Sequence, residues 1–134
     1  MTREITLAGT KVSNTEPCYM IAEIGNNHQG SIEICKEMFL AAKNAGASAV
    51  KLQKRDNQNI FTKELFTANY ENENSFGKTY GEHRLALEFD KFEYQELIDY
   101  SKEIGITFFS TAFDLRSFDF LEELQMPFYK IASS

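Results

Sequence analysis

Short apolar runs alternate with segments of helical periodicity along the whole chain. Ile5 to Val12, broken at Gly9, predicts a small hairpin or cap. Cys18 to Ile24 (CYMIAEI) predicts a buried strand, followed by the turn-rich loop Gly25-Asn26-Asn27-His28-Gln29-Gly30. Ser31 is placed to cap a helix in which Ile34, Cys35, Met38, Ala41, Ala42 and Ala45 form one apolar stripe. Gly46 stands where a left-handed residue ends a helix. Ser48 to Gln53 is the second expected strand.

Lys54 to Phe89 is polar and rich in Asn, Glu and Tyr. A loop of more than ~15 residues in a compact domain is usually a functional lid or a disordered segment. Asp90 with Glu93 then makes a capping-box start for a helix carrying Phe92, Leu97, Ile98 and Ile104 up to Gly105. Ile106 to Ala112 is the third strand. Asp114 caps a short helix with Phe118, Leu121 and Leu124 on one face. Pro127 breaks that helix, and Phe128 to Ala132 is the fourth strand.

Near-continuous apolar strands separated by helices predict a parallel sheet covered by helices, in an α/β fold. Two architectures satisfy that order, a doubly wound open sheet and a TIM barrel. Four strands are too few to close a barrel. Against the open sheet, polar residues gather at the carboxyl ends of all four strands, where barrel active sites are built, and the chain stops as its fourth strand would hand over to a loop. It is therefore expected to be a fragment.

Glu23 interrupts the apolar first strand, and a carboxylate in such a run needs a partner because an unpaired buried charge is costly. Alternation puts Ala49, Lys51 and Gln53 on one face of the second strand and Val50 and Leu52 on the other. A strand between two helices is an unlikely edge, so Lys51 and Gln53 are expected to face inward. A lysine there binds phosphate or carboxylate as a point charge, or forms a Schiff base. Ser110-Thr111-Ala112 and Lys130-Ile131-Ala132-Ser133 end the remaining strands with hydroxyls and a second lysine. Together these ends describe a pocket for an anion and a polyol.

Charge and composition narrow the field further. The 134 residues carry a net charge of −6, with 43% hydrophobic and 25% charged residues. That balance argues against nucleic acid or an anionic membrane as partner. Met1 to Thr10 is mixed and charged, so no secretory segment is expected, and no apolar run nears the ~20 residues of a membrane helix. A cytoplasmic protein is the expectation. Cys18 and Cys35 lack metal-ligand spacing and read as buried free thiols. His28 sits in a turn, and His83 reads as a lid residue or a solvated one; two such distant histidines make no preformed metal site. There is no dinucleotide fingerprint and no Walker-type lysine loop.

The segment Ile21-Ala22-Glu23-Ile24-Gly25-Asn26-Asn27-His28-Gln29-Gly30 resembles the IAEIGxNHxG signature of N-acetylneuraminate (sialic acid) synthases and their legionaminate, pseudaminate and spore-coat relatives. Lys51-Leu52-Gln53 is similar to their KxQ strand, Ser110-Thr111-Ala112-Phe113 to their STPF strand, and Lys130-Ile131-Ala132-Ser133 to their KI(G/A)S strand. Gly77 to Arg84, with Leu87-Glu88-Phe89, resembles the form found in the animal-type and some bacterial synthases. The resemblance runs in order from about residue 17 to the end. Ala112 in place of proline and Ser134 in place of glycine are mild departures.

That resemblance implies the amino-terminal half of a TIM (β/α)8 barrel over 1–134, preceded by a short β-hairpin, with the second half and an antifreeze-like domain absent from this chain. It implies condensation of phosphoenolpyruvate with N-acetylmannosamine or a related N-acyl amino sugar, with or without a 6-phosphate, to a nine-carbon 2-keto acid and phosphate. Glu23 would orient the sugar and assist proton transfer. Lys51 and Lys130 would bind the anionic groups of phosphoenolpyruvate, Thr111 and Ser133 would donate hydrogen bonds to it, and Gln53 would hold the reacting ends together. A divalent metal, manganese or magnesium, would polarise the aldehyde from ligands outside this chain, in a homodimer. A segment alone is then expected to be inactive. Two other readings of the residues remain: a non-catalytic half-barrel that binds phosphorylated sugar or serves assembly, and a Schiff-base aldolase using Lys51 or Lys130.

Overall fold

The computed structural model describes residues 3–133. Ser134, and with it one departure noted above, lies outside them. A hairpin opens the fold: β1 (Glu4–Leu7) pairs antiparallel with β2 (Thr10–Ser13) around Ala8 and Gly9, both at positive φ. Then come β3 (Ile21–Gly25), α1 (Ile32–Asn44), β4 (Ala49–Lys54), three short helices α2 (Asn57–Ile60), α3 (Lys63–Phe66) and α4 (Tyr80–Ala86), α5 (Lys91–Ile104), β5 (Thr107–Ala112), α6 (Leu115–Glu123) and β6 (Tyr129–Ile131). The sheet order is β3-β4-β5-β6 with every pair parallel. Strands neighbouring in sequence are thus neighbours in space, as in successive units of a barrel wall. This is the expected α/β class, with four parallel strands, covering helices and a preceding hairpin.

Local signals placed the helices. The Ser31 hydroxyl accepts from Ile34 N at the start of α1, Asp90 and Glu93 form a reciprocal capping box at α5, and Asp114 accepts from Ser117 N at α6. Gly105 ends α5 in the left-handed conformation. One side of the sheet carries Ile24, Val50, Leu52 and Phe108 into a core shared with Cys35, Phe39, Tyr94, Leu97 and Leu121. The other side carries Glu23, Lys51, Phe109 and Thr111.

Several expectations are corrected by packing. The first strand begins at Ile21, so Cys18 precedes it and is exposed, while Cys35 is buried as expected. Phe92 is 85% exposed, because Tyr94 and Leu97 fill the inner face of α5. Lys54 belongs to β4, and the polar stretch behind it is ordered. Three contacts pin it: Asn57 donates to the Arg84 carbonyl at 3.0 Å, Asp56 N donates to Asp114 Oδ2 at 2.8 Å, and His28 stacks on Phe89 at 4.2 Å between ring centroids. Its polarity reflects many local caps and side-chain to backbone bonds rather than a solvated loop.

Candidate active site

Register builds the candidate site. Glu23 pairs with Lys51 across β3 and β4, Gln53 with Thr111 across β4 and β5, and Thr111 with Lys130 across β5 and β6. These positions therefore share one sheet face at two successive levels, Glu23 with Lys51 at the first and Gln53, Thr111 and Lys130 at the second. A register shift between Glu23 and Gly25 adds a residue to β3 at this point, and such bulges re-aim side chains at strand ends. Gly25 has φ +57, and a Cβ there would lie 3.4 Å from Glu23 Oε1 and 3.8 Å from Gln53 Nε2. The carboxylate and the amide thus flank the same glycine.

Lys51 is buried, ion-paired to Glu23 and hydrogen-bonded through Nζ to Thr111 Oγ1 at 3.1 Å. The Glu23 side chain is 49% exposed, so its carboxylate faces both the lysine and open space. Thr111 accepts from the lysine, which leaves its own O–H to donate elsewhere. A fixed cation, a free hydroxyl donor and a half-exposed carboxylate suit an anionic ligand beside a hydroxylated one.

Not every expected residue joins this group. Lys130 sits at the register of Thr111 but is exposed, and its Nζ donates to the Ile131 carbonyl at 2.8 Å. Ser133 is exposed beyond β6. Ser110 turns away from this face: its hydroxyl lies 3.2 Å from Tyr94 OH in the helix layer. Consecutive strand residues point to opposite sides, so only Thr111 of that pair can reach the site. His28 is buried, its Nδ1 accepts from Gly30 N at 3.1 Å, and burial lowers its pKa to about 4. It is a neutral packing residue of the loop.

The site's margin contains residues to which the sequence motifs attached no role. Lys54 and Glu88 form an ion pair of 3.2 Å, with side-chain exposures of 13% and 12%. The Arg55 guanidinium carbon lies 3.5 Å from the Phe113 ring centroid, and the Arg84 Nη groups lie 3.1 and 3.3 Å from the Asn26 amide, whose oxygen accepts from both once the amide is turned toward them. Lys54-Arg55 at the end of an inward lysine strand, and the Gly77–Arg84 and Leu87-Glu88-Phe89 segments, were the available hints.

Residues 38–134 match the NeuB family. The chain belongs to the NeuB family. It is 43% identical over 125 residues to N-acetylneuraminate-9-phosphate synthase of Mus musculus, and 38% identical over 117 residues to N,N'-diacetyllegionaminic acid synthase of Legionella pneumophila. Those alignments cover 93% and 87% of this NeuB chain but only 35% and 33% of the relatives. Among solved structures, the N-acetylneuraminic acid synthetase of Leptospira borgpetersenii, crystallised in complex with citrate, superimposes with a TM-score of 0.76 at 30% identity, over 98% of this chain and 41% of that one. The two curated relatives named here are thus synthases of sialic and related acids, of whose length this NeuB chain spans about a third.

Proposed function

We propose that this chain supplies the phosphoenolpyruvate-binding side of a synthase that condenses phosphoenolpyruvate with an N-acyl amino sugar to a nine-carbon 2-keto acid and phosphate. The observation that carries the reading is Lys51, a buried cation on the inner sheet face, fixed between Glu23 and Thr111. A lysine at the carboxyl end of a barrel strand supplies a compact point charge where barrel ligands bind.

The roles divide by geometry. Lys51 neutralises the phosphate or carboxylate of phosphoenolpyruvate, and the Thr111 hydroxyl donates to the same group. Lys130, one strand over, swings from its carbonyl to the ligand's second anionic group, with Ser133 as a further donor. The open side of Glu23 accepts from a sugar hydroxyl and assists proton transfer. Gln53, across Gly25 from Glu23, holds the methylene carbon of the enol against the sugar's aldehyde carbon, where the new bond forms. Among the described residues no three His, Cys, Asp or Glu side chains come together to hold a metal ion, and Glu23 is committed to Lys51. None of these roles passes through a metal. The remaining barrel wall, the metal ligands and a homodimeric, cytoplasmic enzyme belong to the same proposal.

Phosphate release from phosphoenolpyruvate plus N-acetylmannosamine tests it. The chain alone is expected to show none. Fusion to the complementary two-thirds of the mouse relative is expected to restore release, and K51M in that fusion to abolish it. A K51M fusion as active as its parent would overturn the assignment.

A further inference from the structure

Lys54 ends β4 with its side chain on the helix side of the sheet, where Nζ sits 4.5 Å from the Phe120 ring centroid. That Nζ pairs with Glu88 Oε2 at 3.2 Å and donates to the Phe89 carbonyl at 2.7 Å. Glu88 Oε2 also accepts from Arg55 N at 3.5 Å, so the carboxylate straddles the end of β4. Both side chains of the pair are nearly enclosed. Replacing a buried ion pair by apolar side chains of similar volume often costs no stability. The specific contribution of this pair is therefore direction: a short charge-assisted bond ties the Phe89 backbone to β4.

Phe89 passes that position on. Its buried ring stacks on buried His28, with 4.2 Å between centroids. The His28 ring holds both ends of its loop: Nδ1 accepts from Gly30 N at 3.1 Å, and the ring makes a hydrogen-bonding contact with the Gly25 backbone. Asn27 tightens the same turn, donating through N and Nδ2 to the Ile24 carbonyl at 3.0 and 2.9 Å. Gly25 closes the bulge that follows Glu23, and the Glu23 carboxylate lies over the space its missing Cβ leaves. The place of that carboxylate is thus tied through Gly25, His28 and Phe89 to a lysine on the opposite side of the sheet.

We propose that Lys54 and Glu88 are positioning residues for Glu23, setting its carboxylate, through Phe89, His28 and the loop 25–30, where it meets both Lys51 and the acceptor sugar. The sugar's part in this rests on the synthase reading; the linkage itself does not.

K54M/E88L tests it, because it removes both charges together and keeps the volume, so the fold survives while the Phe89 carbonyl loses its donor. In NMR spectra of the chain, the Glu23 carboxyl-carbon signal and the Gly25 and Gly30 amide signals are expected to move. K36M/E96L, which removes an exposed ion pair between α1 and α5, is expected to leave all three in place. K54R keeps a donor for the Phe89 carbonyl and a charge for Glu88, and should bring most of the shift back. In the fusion to the mouse relative, K54M/E88L should lower kcat about tenfold and raise the KM for the amino sugar. The KM for phosphoenolpyruvate should stay within about twofold, since Lys51 and Thr111 remain paired. Unmoved Glu23, Gly25 and Gly30 signals would overturn the linkage, as would equal shifts in K36M/E96L or an equal rise in both KM values. Those failures leave the synthase reading standing, because it is decided by phosphoenolpyruvate binding to wild type and K51M. If K51M binds phosphoenolpyruvate as wild type does while the Glu23 signal follows Lys54, the linkage stands and the synthase reading falls.

Discussion

Lys51 Nζ donates to Thr111 Oγ1 at 3.1 Å across two adjacent parallel strands, so the cation of the site is held by the residue expected to share its ligand. Thr111→Val keeps the volume and removes the acceptor. Lys51 retains Glu23, so the loss of stability is expected to be small, about 1 kcal/mol. Phosphoenolpyruvate affinity should fall about tenfold, the equivalent of ~1.4 kcal/mol. Thr111→Ser should keep most of both. Urea denaturation and ligand titration of the three proteins check this, and an unchanged affinity in Thr111→Val would remove Thr111 from the site.

Lys54 and Glu88 are nearly enclosed, and desolvation pushes the Glu88 pKa up despite the lysine. Glu88→Leu strands a buried ammonium and should cost about 3 kcal/mol. The Phe89 carbonyl at 2.7 Å and the Phe120 ring at 4.5 Å soften that loss. Adding Lys54→Met should recover most of it. A double-mutant cycle by urea denaturation measures the coupling, expected at about 1–3 kcal/mol; strictly additive costs would show that the two charges act independently.

His28 should make the fold weaker in mild acid. Its folded pKa, about 4, lies below its usual 6.5. The unfolded chain therefore binds the extra proton first, and stability rises with pH between those values. This contribution is complete above pH 6.5 and is lost as pH falls toward 4, on the order of 3 kcal/mol at most. Protonation at Nδ1 also removes the acceptor for Gly30 N. Denaturation midpoints at pH 7 and pH 5, for wild type and His28→Phe, should differ in their pH dependence.

Gly30→Ala should be among the most damaging single changes. Gly30 has φ +77, and a Cβ there would collide with the Ala86 carbonyl oxygen. Backbone strain and the forced retreat of α4 together should cost about 2–4 kcal/mol. A thermal melt checks this; an undisturbed melting temperature would mean that the loop and α4 separate freely.

Much of this fold was legible in the chain because its signals are local. Ser31, Asp90 with Glu93, and Asp114 each satisfy backbone donors within three residues, so the helix starts could be read directly. Strand alternation put Lys51 and Gln53 opposite Val50 and Leu52, and the structure keeps that division. The same rule, applied to Ser110 and Thr111, separates them; only grouping them by strand end placed both at the mouth. The segment from Arg55 to Phe89 was less legible, because helices of four to seven residues show too few turns to display a period.

By itself, then, the sequence determined the order of the strands and the longer helices, the caps of those helices and which side chains share a strand face, since each depends on neighbours a few positions away. Tertiary structure alone decided that Glu23 finds Lys51, that Tyr94 claims Ser110, and that Cys18 stays outside. The paired outcomes join residues 16 and 28 positions apart. No local pattern specifies them; they follow from how the helices lie on the sheet and which polar groups are left buried together.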